Sequence, residues 1–399
     1  MRRTTALLLV VCMIFVGCKV KNATKSKNVE EVINDKVEEA KAEKAQTAET
    51  AEKGEKKLSI VTTVFPAYDW AREITKDNKN VELTMLLDNG TDLHSFQPSA
   101  DDIVKIVNSD VFIHVGGESD NWVKDIIKNN PSDTRKVINL VELLGDEVKT
   151  EELKEGMTVT EHAHDHGHKD EHDEHEHEDE HDHDHDHDHD HDHDHDHKDE
   201  HDDHEHEDEH DHDHDHDHDH HHGPEVDEHI WLSLKNAKHL VKGIAEKISE
   251  VDPANELYKE NAKAYIAKLD KLDKEYEKTT SNLKNKTLIF GDRFPFRYMI
   301  EDYNLDYYAA FVGCSADVEA SFETIKFLSD KVDELDIDTI FIIDKSDGKI
   351  ARTIAQTAKK ENIKIEALDS MQTTTAEDVK NGVNYLGIME DNLKKIASL

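Results

Sequence analysis

The chain has 399 residues and a formal net charge of −43, with 92 Asp and Glu against 49 Lys and Arg. That length allows two ordinary domains with additions, and that charge excludes nucleic acid or an anionic surface as an electrostatically held partner. Most of the excess is local, because residues 161–222 carry 31 Asp or Glu and only 2 Lys; the rest of the chain is moderately acidic.

The chain opens "MRRTTALLLVVCMIFVGCKVKNATKSK". Two arginines, an apolar run from Ala6 to Val16, a small residue and a cysteine make a charged region, an apolar region and a cleavage site. The run is too short for a mature membrane span. "FVGC" resembles a bacterial lipobox, with Phe15 departing from the usual Leu, so residues 1–18 are expected to be a lipoprotein signal with Cys18 as the lipidated residue. The plainer alternative is a secretory signal cut nearby, and both place the protein outside the cytoplasmic membrane. With Cys12 in the signal and Cys18 lipidated, Cys314 is the one thiol left, and no internal disulfide is available. Such a cysteine is most often buried and inert, although its place in "FVGCSADVEAS", at a strand end running into a loop, could put it at the border of a site. Residues 19–57 hold hardly a large apolar side chain and are expected to form a solvated tether.

From residue 58 the pattern is that of an α/β protein. Leu58 to Val64 is a β-branched run and Ala67 to Thr75 has helical spacing. Val81 to Leu87 reads as a strand and "DNGTDLHSFQPS" as a loop. "SADDIVKIVNS" reads as a helix capped by Ser99. "DVFIHVGG", "NWVKDIIKN" and "KVINLV" continue as strand, helix and strand. Strands expected at Lys286–Gly291, Asp306–Val312, Asp338–Asp344 and Ile363–Asp369 alternate with amphipathic helices in the same way. Between the halves, Asp252–Asn285 has Pro253 at its start and no later Gly or Pro, which predicts one helix of roughly 45 Å. The expected architecture is therefore two lobes, each a mostly parallel four-stranded sheet flanked by helices, joined by one long rigid helix. The lobes span 58–251, with an insertion at 161–222, and 286–399, with 252–285 between them. In such sheets ligands bind beyond the carboxyl ends of the strands.

The insertion holds 27 of the 31 histidines, mostly alternating with Asp or Glu. Such a tract offers no apolar core, and neutral imidazoles beside carboxylates gather zinc, nickel or copper. Uptake there is expected to fall as pH drops through the region near 6.5. The bland reading is a solvated acidic loop. Four histidines lie outside it: His94, His114, His229 and His239. His229 follows Gly223 and Pro224, which end the repeat, and stands in a segment of helical spacing. It is expected to belong to folded structure, and His239 to be a surface residue.

Two segments carry a resemblance. "TDLHSFQPSADDI" is similar to the Pro-His-Asp-Tyr-x-Pro-Ser segment, and "DEHIWLSLKNA" to the Asp-Pro-His-x-Trp-Leu-Ser-Pro segment, of the zinc and manganese solute-binding proteins of ABC importers. Zinc members of that family carry a His-rich acidic insertion just before the second segment, as here. The resemblance covers roughly residues 57–399. It implies a non-enzymatic protein that binds zinc, less readily manganese or nickel, and delivers it to a membrane permease and its ATPase. It further implies a monomer held at the outer face of the membrane by its lipid.

Carried over by position, His94 and His229 match the two histidine ligands of the first lobe. The third ligand of the family, a His or Glu of the second lobe, falls in "IFGDRFPFRYMIEDYNL", where this chain has Arg293. A guanidinium stays protonated and has no lone pair to offer a cation. Asp292, one residue earlier, is a substitute if the loop is shifted. The family's acidic fourth ligand corresponds to Asp344, whose alternative role is an ion pair. His114, at the end of its strand, is a further candidate. Abundant imidazole favours zinc over manganese. A zinc hydrolase would need an activated water and a base, and no His-Glu-x-x-His or Gly-x-Ser-x-Gly motif is present. The alternative function is a surface-anchored zinc buffer or adhesin.

Overall fold

The structure, a computed structural model, describes residues 57–158, 225–315 and 319–399. The expected signal with Cys18, the tether up to residue 56 and the insertion 161–222 lie outside the described residues.

The first sheet is built from β1 (Leu58–Thr62), β2 (Val81–Met85), β3 (Val111–His114) and β4 (Lys136–Asn139), all parallel in the order β2-β1-β3-β4. Helices α1 (Phe65–Thr75), α2 (Ala100–Asn108), α3 (Trp122–Asn129), α4 (Leu140–Leu144) and α5 (Leu234–Val251) complete this lobe. Ser99 caps α2 in a reciprocal capping box with Asp102, which satisfies two of the free amides at the helix start. "KVINLV" is strand only as far as Asn139, because the Asn139 side chain accepts from the Glu142 amide and starts α4. The two ends of the insertion are stitched together: Thr150 bridges Val226 antiparallel, and the Glu151 and Asp227 amides donate to Glu225 and Lys149 carbonyls at 2.8 and 2.9 Å. From there the described chain runs on to Thr158, whose amide donates to the Ala310 carbonyl of the second lobe at 2.9 Å.

The second sheet repeats the scheme with β5 (Thr287–Phe294), β6 (Asp306–Val312), β7 (Thr339–Ile343) and β8 (Lys364–Leu368), parallel in the order β6-β5-β7-β8. Around it lie α7 (Arg297–Asp302), α8 (Phe322–Glu334), α9 (Lys349–Thr357), α10 (Ala376–Lys380) and α11 (Tyr385–Ile396). Neighbours on β5 and β7 face opposite sides, as strand geometry requires. Phe290 and Phe341 join the main core, whereas Ile289 and Ile340 join a smaller cluster with Leu328, Val332 and Ile354.

The linking helix α6 runs Leu257–Ser281, shorter at both ends than the expected 252–285. Residues 252–256 form a turn region instead, and Pro253 lies before the helix rather than in its first turn. At 1.5 Å per residue α6 is about 38 Å long. Its early part holds the first lobe: Asn261 donates to the carbonyls of Ile74 and Lys76 at 3.0 Å, and Tyr258 accepts from Asn78. Later, Tyr276 donates to the Met389 carbonyl of α11 at 2.6 Å. Helix α11 reaches back in turn, with the Tyr385 amide on Asp69 and the Tyr385 hydroxyl on the Trp231 carbonyl. Trp231, fully buried, donates to the Ser370 carbonyl. One apolar core thus runs through both sheets, and the two lobes are held by more than a hinge.

Candidate metal centre

Each of the two motif histidines sits at a short 3-10 turn beyond the carboxyl end of the first sheet. His94 lies in the turn Leu93–Ser95, where its amide donates to the Asp92 side chain that caps the turn. His229 immediately precedes the turn Ile230–Leu232, and Ser233 then caps α5. It is therefore set apart from the helix that follows rather than carried on its face.

The two imidazoles converge. His94 Nε2 and His229 Nε2 are 3.3 Å apart, with ring planes inclined at 59°. Behind each ring, the other nitrogen is occupied. His229 Nδ1 is 2.9 Å from Asp227 Oδ1, which also accepts the His229 amide, and His94 Nδ1 is 2.8 Å from Ser119 Oγ. A hydrogen bond at Nδ1 fixes the ring so that Nε2 is the coordinating atom. Two nitrogens at ~2.0–2.1 Å from a tetrahedral ion lie about 3.3 Å from each other. The observed separation is that edge.

The surroundings are anionic. His229, Asp227 and Glu228 are almost wholly buried, and Asp227 Oδ2 and Glu228 Oε2 have no hydrogen-bond partner. Glu151 crosses to the second lobe, accepting the amides of Gly313 and Cys314 at 3.3 and 3.1 Å. Burial, then the charge of Asp227, pushes Glu151 above the ordinary carboxylate range, and burial does the same to Glu228. Burial opposes a charge on His229, but Asp227, Glu151 and Glu228 outweigh it and raise its pKa. His94 goes the other way, down to about 4, through burial, then the His229 imidazole, with Arg293 adding to them. The carboxylates thus favour positive charge at this pair of rings while burial and mutual repulsion oppose a proton on each, and a bound cation is the species this arrangement favours.

From the second lobe come two groups outside the motifs, Cys314 and Gln372, and Arg293, which the motif alignment puts at a ligand position. Cys314, a free thiol, has its sulfur within 4.8 Å of ligand nitrogens of both His94 and His229. Burial and the Glu151 carboxylate push that thiol's pKa well up. Gln372, in the loop after β8, is satisfied with its amide nitrogen 3.0 Å from Asp92 and its oxygen 3.1 Å from His229 Nε2. Arg293, at the family's ligand position, donates to Asp92 at 2.8 Å and to the Ser315 carbonyl at 3.2 Å. The Asp92 carboxyl is held below its ordinary value because this guanidinium outweighs the cost of burial.

Of the five expected ligands, the structure brings His94 and His229 together and places the other three elsewhere. His114 is buried, stacked on Phe112 and 3.3 Å from Asp120 through Nδ1. Its strand face, two residues from Phe112, turns it into the lobe. Asp344 follows β7 and accepts from the amide and hydroxyl of Ser370 at 2.7 and 2.6 Å and from the Thr373 hydroxyl. Its carboxylate closes loops of the second lobe. Asp292 accepts the Arg293 amide at 2.8 Å, and its other oxygen is buried without a partner. Asp292 and Asp344 line a cleft of about 570 Å³ together with Asp92 and Arg293. Among the described residues, the groups close enough to hold an ion are His94–His229–Cys314 and Glu151–Asp227–His229.

Comparison with known proteins fits this geometry. The family model described as "ZnuA: Zinc-uptake complex component A periplasmic" matches residues 60–399. The zinc-binding lipoprotein AdcA of Streptococcus pneumoniae (strain ATCC BAA-255 / R6) is 29% identical over 343 residues, covering 85% of this chain and 55% of that protein, so the chain spans about half the length of this relative. The high-affinity zinc uptake system protein ZnuA of Bacillus subtilis (strain 168) is 26% identical over 344 residues, covering 84% of this chain and 86% of that protein. Among solved structures, the Zn(II)-bound ZnuA-like domain of Streptococcus pneumoniae AdcA superposes with a TM-score of 0.57 at 25% identity, covering 86% of this chain and 98% of the domain. With a family model spanning both sheets and both histidine motifs, this chain belongs to the ZnuA family of zinc-uptake components.

Proposed function

We propose that the protein is an extracytoplasmic zinc-binding protein that takes up one ion between its lobes and delivers it to an ABC importer. The observation that carries this is the 3.3 Å separation of His94 Nε2 and His229 Nε2, each ring fixed from behind. Two neutral imidazoles in a tetrahedral setting suit zinc better than the oxygen-preferring manganese. The action is capture and release, not turnover. The AdcA and ZnuA relatives, named for zinc binding and zinc uptake, support the same cargo. The sequence around Cys18 supports lipid anchoring at the outer face of the membrane, and the permease and ATPase partners follow from the family.

The 27 histidines of the insertion, which ends seven residues before His229, would gather zinc at low affinity and raise its concentration beside the tight site. The test is zinc titration calorimetry on the chain with and without residues 162–222, beside His94→Ala and His229→Ala. One tight ion that survives the deletion and is lost in both single variants supports delivery of a specific cargo. Weak multi-ion binding that disappears with the tract would make the protein a tethered zinc buffer.

A further inference from the structure

We propose that Cys314 is the second lobe's ligand to the ion, completing a His94–His229–Cys314 set in place of the ligand that Arg293 has displaced. The inference rests on the zinc-binding reading and assigns the atom that the first lobe alone does not supply.

Three observations place the sulfur there. The ligand atoms of His94, His229 and Cys314 all lie within 4.8 Å of one another, and the two nitrogens already stand at a tetrahedral edge. In a site of that geometry a zinc–sulfur bond of ~2.3 Å puts sulfur and nitrogen about 3.6 Å apart, so a small movement of the Cys314 side chain closes the set. The backbone carrying Cys314 is pressed against the site. A Cβ added at Gly313 would meet the His229 ring carbon Cε1 at 3.2 Å and the Phe294 carbonyl at 2.9 Å, so only glycine lets the loop pass there. Both neighbours of the thiol are anchored from outside the loop: Glu151 accepts the amides of Gly313 and Cys314, and Arg293 donates to the Ser315 carbonyl.

Arg293 and Glu151 are thereby positioning residues. The guanidinium cannot bind a cation, but it ties the Cys314 loop to Asp92, whose side chain also accepts the His94 amide. Asp227, fully buried with Oδ2 unpartnered, supplies negative charge next to the ring it orients. When the ion binds, the S–H bond breaks, a metal–sulfur bond forms and the proton leaves to solvent. Thiolate is a soft ligand, so the set discriminates for zinc and against manganese, magnesium and calcium more sharply than imidazole with carboxylate.

The test uses the full chain carrying Cys12→Ser and Cys18→Ser, so that Cys314 is its one thiol, loaded with cobalt(II). Thiolate bound to cobalt gives a near-ultraviolet charge-transfer absorption that imidazole and carboxylate ligands, including those of the His-rich tract, do not. The expected result is that absorption at one thiolate per chain, diminished in His94→Ala and His229→Ala and absent in both Cys314→Ser and Cys314→Ala. Zinc affinity should fall about a hundredfold in Cys314→Ser, at or beyond the upper end of the loss usual for an outer-sphere partner, while manganese affinity changes little. Tight zinc binding that depends on His94 and His229, with no charge-transfer absorption and no loss in Cys314→Ser, overturns the proposal and leaves the zinc reading standing. Zinc binding indifferent to His94 and His229 removes both.

Discussion

Arg293 of the second lobe and Asp92 of the first are joined by a 2.8 Å ion pair, and both side chains are only 17% exposed. The same carboxylate accepts the His94 amide, so the pair connects the second lobe to a metal-site turn of the first. Removing one partner from a buried pair costs ~3–5 kcal/mol and from an exposed pair ~0–1 kcal/mol; this pair lies between, at about 2 kcal/mol. Arg293→Met is therefore expected to lower the denaturation midpoint accordingly and to speed zinc dissociation, since it also removes the Arg293 hydrogen bond to the Ser315 carbonyl. Urea unfolding and stopped-flow release of zinc to a chelator check the two effects separately. An unchanged dissociation rate would mean that the pair serves stability alone.

Asp227 orients His229 through a 2.9 Å contact to Nδ1. Replacing it by Asn keeps an oxygen acceptor but removes the charge that makes Nε2 a better donor, and it places an amide nitrogen where Asp227 Oδ2 finds no partner. Asp227→Asn should weaken zinc binding by about 10- to 100-fold without changing the number of tight ions. Competition with a chromophoric chelator measures the affinity. Loss of the tight ion altogether would indicate that Asp227 is itself a ligand.

How much of this was legible can be judged from single residues. The strands were legible because β-branched runs alternate with helical spacing, and Ser99 marks the start of α2 in the sequence as it does in the structure, where Asp102 completes the capping box. His94 and His229 were legible because each sits in a recognisable local motif. Glu151, Gln372 and Cys314 were not identified as site residues, since each reaches the site through contacts more than a hundred residues away in sequence, or around the insertion. For Cys314, the local signal was its place at a strand end running into a loop, which allows a position at the border of a site without saying what it reaches. For His114 the local signal was incomplete: a strand-end position says that a side chain is near the ligand edge of the sheet, but not which face it takes. Asp344 sits at the expected strand end too, and its hydrogen bonds to Ser370 and Thr373 show what else a carboxylate there can do.

Gly313 offers a sharper test of the loop than any charged residue. An added Cβ would stand 2.9 Å from the Phe294 carbonyl and 3.2 Å from both Glu151 Oε1 and His229 Cε1. Overpacking of this kind costs ~1–3 kcal/mol. Gly313→Ala should accordingly lose that much stability and also bind zinc more weakly, because the loop must retreat from His229. Gly291→Ala is the control: its Cβ would meet the Ala351 backbone at 2.5 Å, between β5 and α9, and the three atoms nearest it all belong to Ala351. Calorimetry on both is expected to show reduced stability in each but reduced zinc affinity in Gly313→Ala alone. Equal affinity losses would trace the effect to general loosening of the second lobe.

The contact that closes the C-terminal helix onto the first lobe should leave a pH signature. Asp69 is 1% exposed, pairs with Arg72 and accepts the Tyr385 amide at 2.9 Å. Burial is the largest influence on its carboxyl and raises the pKa above the ordinary 3.8, in spite of Arg72. The folded state then holds this proton more tightly than the unfolded state. Its contribution to stability is complete below 3.8 and is lost as pH rises through the folded pKa. Asp69→Asn keeps an acceptor for Tyr385 and removes the titration. The melting temperature of the variant minus that of the parent should therefore increase between about pH 3.5 and about pH 7. Differential scanning calorimetry at several pH values gives that difference directly. A difference that stays flat, or falls, would mean that the Arg72 pair and the Tyr385 amide already hold the carboxylate as well as water does.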